Sequence, residues 1–349
     1  MNNNESPRFP EQPTRHHCEF SIVVSSVNMG LIKQSLVPSV PEDADLIIPE
    51  KFMGLNVQIS VVAMVFAHLA MPAMISKVES IVAERDDYVK WIWSTAFFIN
   101  VFSVSQPGRS DGKVKDGQAD TLFETIFSPA SYAFAIWGVI YIGQALQTAY
   151  VASALDLTTQ FGATIRNATP YWVAANLFQS FWCVTFRPQF ASYQWLPTLS
   201  LFLSFLSQLK VVDIQSNQVI GSFANSGANN FSWEYLAPTL ARFPNSLHAG
   251  WLAAATLLNL NGYVARLARP LGDQVALAFA SSYAGFALGA FFSYRHRDPW
   301  FGGTIAWALR ALAVNTKKQT TPDVGIPCRE ALASTQWLLA AALVVLSVL

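Results

Sequence analysis

Amide and aromatic side chains recur at helical spacing in three apolar stretches of this chain, a pattern suited to non-covalent binding more than to acid–base chemistry. Trp172, Asn176, Gln179 and Cys183 fall on one helical face, with Trp182 beside it. His248, Trp251, Ala255 and Asn259 share another, and Phe134, Trp137 and Tyr141 form an aromatic stripe. An amide in hydrocarbon is costly unless bonded, so Asn176, Gln179 and Asn259 are expected to point inward. There they either tie helices together, the commoner use, or meet the polar edge of a ligand in an apolar pocket. His248 reads as an interfacial residue or as a hydrogen-bond partner in that pocket. No Ser/His/Asp grouping, glycine-rich phosphate loop or paired carboxylate accompanies them. Cys18, Cys183 and Cys328 lie far apart without metal-ligand spacing, and His16-His17 lack further ligands. No catalytic residue, metal or cofactor is assigned.

The elements that must position these residues are membrane spans. Residues 128–155 carry no charge, and an α-helix rising ~1.5 Å per residue crosses a bilayer core in ~20 residues. Further charge-free windows cover 57–76, 91–108, 167–186, 188–209, 243–265, 274–294, 299–315 (broken only by Arg310) and 331–349. Composition agrees: 52% hydrophobic and 13% charged residues, against about a quarter charged in a soluble domain. The 22 basic and 22 acidic residues balance, which offers nothing to nucleic acid. The predicted spans hold no Asp or Glu, arguing against a proton-coupled pump.

Seven spans are expected plus a doubtful one at 57–76, which holds His68 and Pro72 and would also suit an interfacial helix. Arg187-Pro188 marks a tight hairpin, since proline ends a helix and arginine stays at the interface. The stretch from about 212 to 242, rich in Asn, Ser, Gln and Gly, is expected to be a surface loop. Gly138, Ala253 and Ala255 are expected to let helices approach closely. Residues 1–56 read as a polar disordered tail without a secretory-signal pattern. Basic residues divide almost evenly between the two sides, so orientation is weakly specified. The sequons Asn167-Ala-Thr169 and Asn230-Phe-Ser232 both fall on the slightly less basic side.

Three ordered segments resemble the tryptophan-rich sensory protein/translocator protein (TspO/MBR) family. FSPASYAFAIWGVIY is similar to the start of the family's second helix, NLFQSFWCVTF to its third, and NSLHAGWLAAATLLNLN to its fifth. INVFSVSQPGRSDGKVKDG and DPWFGGTIAWALRALAV are similar to a first-helix end and an extra carboxy-terminal helix of longer members, so the likeness covers about 94–315. Ser131-Tyr132 stand where the family has a loop Trp, and Gln179 where it has an Asn. The resemblance implies a five-helix core over 91–106, 129–154, 168–186, 192–210 and 243–264, with a ligand pocket among the helices. Trp137, Tyr141, Gln179, Trp182, Trp251, Ala255 and Asn259 match the pocket positions. Leu260, Tyr263 and Arg266 fit the pattern proposed for sterol contact at the end of the fifth helix. Tyr and Arg are also ordinary anchors there.

The expected fold is therefore all-α, a polytopic membrane bundle of a TspO-like five-helix core plus two or three additional transmembrane helices. Its divisions are 1–56 tail, 57–90 doubtful helix and linker, 91–265 core and 266–349 added helices. The expected function is a receptor or carrier, non-enzymatic, for a flat apolar ligand such as a porphyrin, another tetrapyrrole or a sterol. A membrane enzyme on a conjugated lipid and an assembly protein of a membrane complex are the alternatives. Expected partners are the lipid bilayer and that hydrophobic small molecule. A homodimer and the identity of the membrane are left open.

Overall fold

The computed structural model describes residues 50–110, 125–225, 233–267, 269–318 and 324–348. The tail up to residue 49, the Asn230 sequon and most of the loop before residue 125 lie outside the described residues. Nine α-helices run through the rest: α1 Glu50–Glu84, α2 Asp86–Ser105, α3 Ile136–Ser153, α4 Gln160–Thr185, α5 Trp195–Asn225, α6 Trp233–Arg266, α7 Leu271–His296, α8 Pro299–Lys318 and α9 Ile326–Val348. A 3-10 turn, Ser131–Ala135, leads into α3. The described residues contain no strand. This is the all-α membrane bundle expected from the sequence.

Five helices are long and apolar enough to cross a bilayer: Val57–Glu84, Ser131–Ser153, Trp195–Gly221, Leu271–His296 and Ile326–Ser347. The doubtful window at 57–76 thus lies in one of the most apolar helices. Its His68 is satisfied locally: Nδ1 bonds the Met64 carbonyl at 2.6 Å and Nε2 meets the Ser200 hydroxyl at 3.0 Å. The windows in α4, α6 and α8 fall short of a span by composition because those helices turn amides, hydroxyls and small residues toward their neighbours. Most of α4 and of α8 is buried. Polar inner helices wrapped by apolar outer ones are what a bilayer permits, since lipid-facing polar groups find no partner.

α2, α3, α6, α5 and α4 close a ring in which each packs against the next. This ring is the five-helix core. α8 lies against the outside of α6, α7 and α9 pack around α8, and α1 lies against α4 and α2. Sequence-local devices fix the ends. The Thr159 hydroxyl accepts from Gly162 N–H at 3.0 Å and caps α4. The hairpin at Arg187-Pro188 forms as expected: Arg187 Nη1 donates to the Pro107 carbonyl at 3.0 Å, and Pro188 opens the 3-10 turn leading to α5.

Two expectations need correction. The stretch 212–242 is not one long loop: α5 continues to Asn225 and α6 begins at Trp233. Its polar residues misled because they point inward, with Gln215, Ser216 and Gln218 all buried. The longer α5 also places a carboxylate, Asp213, within a spanning helix, where Lys210, Arg295 and His296 surround it at 3.3–3.4 Å. The second correction concerns close approach. Gly138 faces open space, while a Cβ on Gly143 would stand 2.6 Å from Pro244 Cβ, and one on Gly250 2.7 Å from the Phe301 carbonyl. Gly143 and Gly250 are the contact glycines that seat α3 on α6 and α6 on α8.

Candidate functional site: the interior of the five-helix ring

The aromatic stripe on α3 meets α6 inside the ring. Trp137 stacks on Tyr141 at 5.4 Å and presents its edge to Trp251 at 6.1 Å and to His248 at 5.7 Å. Phe134 adds a T-shaped contact to Trp251 at 5.7 Å, and Tyr132 one to Trp307 of α8 at 5.1 Å. Trp251 is fully buried and Trp137 half-buried, whereas Tyr132 and Phe134 are exposed. The rings therefore form a ledge that runs from the bundle surface into the core. Aromatic pairs at these separations contribute ~0.5–1.5 kcal/mol beyond area burial.

Behind the ledge lie three polar groups of residues. In the first, Tyr141 hydroxyl donates to Asn100 Oδ1 at 3.1 Å and accepts from Gln179 Nε2 at 3.0 Å. Asn100 Nδ2 donates to Gln179 Oε1 at 2.8 Å and to Asn176 Oδ1 at 2.9 Å. Every amide atom of Asn100 and Gln179 is occupied, and this knot joins α2, α3 and α4. In the second, Trp182 Nε1 donates to Asn259 Oδ1 at 3.4 Å across α4 and α6, while Asn259 Nδ2 returns to the Ala255 carbonyl at 3.0 Å. Trp182 also stacks on Phe186 at 5.1 Å beneath the Arg109 guanidinium.

The third group is centred on Asn245. Its Nδ2 donates to Gln147 Oε1 and Gln215 Oε1, each at 3.0 Å. Its Oδ1 accepts from Gln144 Nε2 at 3.3 Å and Gln208 Nε2 at 3.2 Å. Gln144 Nε2 also donates to His248 Nδ1 at 2.9 Å. One residue of α6 thus binds two glutamines from α3 and two from α5, all buried. Each glutamine keeps its second amide atom buried and unbonded among the described residues: Gln144 Oε1, Gln147 Nε2, Gln208 Oε1 and Gln215 Nε2. His248 Nε2 is in the same condition.

The matched positions therefore fall into linked subsets. Trp137, Tyr141, Gln179 and Trp251 are joined through rings and the Tyr141 hydroxyl, and Trp182, Ala255 and Asn259 form a neighbouring group. Leu260, Tyr263 and Arg266 run half-buried along the last turns of α6. Asn100 and the Asn245 group were not singled out from the sequence, although a lone Asn inside 91–108 and Gln144 and Gln147 inside 128–155 were available signals. Side chains at the expected pocket positions contact one another directly. A small, partly open cavity, about 20 Å³ and lined by Ala254, Leu257, Ser281, Gly285 and Ile305 among others, lies between α6, α7 and α8. That volume admits about one water.

The ring with its aromatic ledge and amide-lined interior defines a multi-pass helical membrane protein. The chain belongs to the TSPO-like protein family, whose model matches residues 88–349. The match begins at Tyr88, so α1 stands apart from it. A search of curated proteins found no match, and a search of solved structures found none.

Proposed function

We propose that this protein is an integral membrane receptor or carrier that takes a flat apolar ligand, a tetrapyrrole or a sterol, against the Trp137–Trp251 ledge. The observation that carries the reading is the placement of the ledge. Its outer rings, Tyr132 and Phe134, are exposed on the bundle side, and its inner end meets His248, whose Nε2 has no partner among the described residues. A planar ligand arriving from the bilayer would slide over ring faces and find a hydrogen-bonding group at the end. The polar handle is then His248 with Gln144 Oε1. Gln179 and Asn259, matched by family resemblance, already use their amides to tie helices. Room for the ligand comes from α3 moving outward, as its outer face (Val139, Ile142 and Leu146) is exposed and its packing within the ring is mainly to α2 and α6, with the Tyr141–Gln179 bond and the Tyr150–Phe161 ring contact tying it to α4.

The test uses purified full-length protein in detergent, titrated with a porphyrin and separately with a sterol. Saturable quenching of Trp fluorescence with a porphyrin absorbance shift is expected, and Trp137→Ala weakens it about tenfold or more, roughly 1.4 kcal/mol. Trp137 is preferred to Trp251 for this purpose. Trp251 is fully buried, and truncating it costs ~3–5 kcal/mol of stability whatever it binds. Loss of the ligand with appearance of a product would move the reading to an enzyme. Binding of neither ligand would favour an assembly protein, the role that the occupied amides of Asn100 and Gln179 also suit.

A further inference from the structure

The last turn of α7, the start of α8 and the end of α9 line a half-open cavity of about 990 Å³. It is lined by Phe291, Tyr294, Arg295, Arg297, Leu346 and Ser347, among others. Two spanning segments, Leu271–His296 and Ile326–Ser347, end at its rim, which sets it at the depth of lipid headgroups. Phe291 and Leu346 are both exposed; Phe291 lies about a turn inside the end of its segment and Leu346 sits right at the end of its own.

Charge at the site is positive. Arg297 is exposed, and its guanidinium has no carboxylate partner among the described residues. Arg295 is shared with Asp213 at 3.4 Å. The one carboxylate in the lining, Asp298, is already neutralised: Arg242 Nε lies 3.8 Å away, the Ser246 hydroxyl donates to it, and Trp300 N–H donates to it at 3.0 Å. Arg297 has a second peculiarity. It adopts φ 48°, in the left-handed region that favours glycine, and among the described residues it is the one non-glycine that does so. A position whose backbone suits glycine carries an arginine instead, with its fork left free.

We infer that this cavity is a site for an anionic phospholipid, its phosphate held by Arg297 and Arg295, and its acyl chains lying along Phe291 and Leu346. Guanidinium groups pair with phosphate oxygens through two parallel N–H bonds, which gives the site its preference over zwitterionic lipid. Bound lipid would couple the ends of α7, α8 and α9 through one ligand.

The experiment measures the Tm of full-length protein in detergent on adding phosphatidylglycerol, phosphatidylcholine or inorganic phosphate. Phosphatidylglycerol is expected to raise Tm saturably, with little effect of the other two. Arg297→Gly removes the guanidinium and relieves the left-handed residue, so its lipid-free Tm should equal or exceed the unsubstituted protein's. Its apparent affinity for phosphatidylglycerol should fall about tenfold. If Arg297→Gly lowers the lipid-free Tm, Arg297→Asn carries the same comparison, because Asn also tolerates the left-handed region. An equal shift with phosphatidylcholine, the full shift with inorganic phosphate alone, or undiminished affinity in the variants would overturn the proposal.

Discussion

Replacing Asn245 by Leu should be among the most damaging conservative changes in the interior, and the structure sets its scale. Leu is close to Asn in size, so the substitution leaves little cavity and isolates the loss of hydrogen bonds. Asn245 is fully buried and bonds four glutamines, Gln144 and Gln147 of α3 and Gln208 and Gln215 of α5. Interhelical bonds in a membrane bundle average ~0.6 kcal/mol each, because the unfolded chain in lipid also finds partners. Four of them give about 2.4 kcal/mol, or a shift of about 60-fold in the folding equilibrium. The glutamines already leave one amide atom each unbonded among the described residues, so they cannot readily compensate one another. Reversible unfolding in mixed micelles with increasing dodecyl sulfate, followed by circular dichroism, would measure the change. Asn259→Leu is the internal standard: its single interhelical bond, at 3.4 Å, predicts a loss of ~0.6 kcal/mol. If Asn245→Leu destabilises no more than Asn259→Leu, the amides do not hold the ring together and the reasoning is wrong.

Two further changes probe packing and the buried charge. Gly143→Ala drives a methyl into Pro244 and should cost ~1–3 kcal/mol, whereas Gly138→Ala meets nothing and should be neutral or mildly stabilising through helix propensity. Identical unfolding midpoints for the two variants would show that α3 does not seat on α6 at Gly143. Arg242→Met leaves the Asp298 carboxylate buried and uncompensated, a loss of ~3–5 kcal/mol by the same unfolding assay. Adding Asp298→Asn, which removes the charge and can still accept from Trp300 N–H, should restore most of it. No restoration in the double variant would mean that Arg242 acts through its bonds to Ser216 and the His296 carbonyl and not through the ion pair.

The windows free of charge located nearly every helix, because the cost of a charge in hydrocarbon is large enough to be read from composition alone. Uncharged amides carry no such mark. Gln215 and Gln218 looked like loop residues, yet both are buried on a continuous α5. Asn100 drew no notice in an apolar window, yet it links Tyr141, Asn176 and Gln179. An amide on a helix has the same sequence signature whether it faces water or another amide. The same ambiguity affects glycine: Gly138 and Gly143 are five residues apart on α3, and only the position of Pro244 distinguishes them.

Helicity, membrane residence and the pairing of aromatic with amide residues follow from the sequence by itself, because each rests on local periodicity and on the transfer cost of side chains into lipid. The family follows too, from ordered motifs of ring and amide residues. Which amides are consumed was decided by the tertiary structure. Gln179 and Asn259 turned out to be ties between helices, and His248 with Gln144 the groups left with bonding capacity beside Trp137. A hydrogen bond depends on partners brought within about 3 Å by helices distant in the chain, and no spacing along a single helix encodes that meeting.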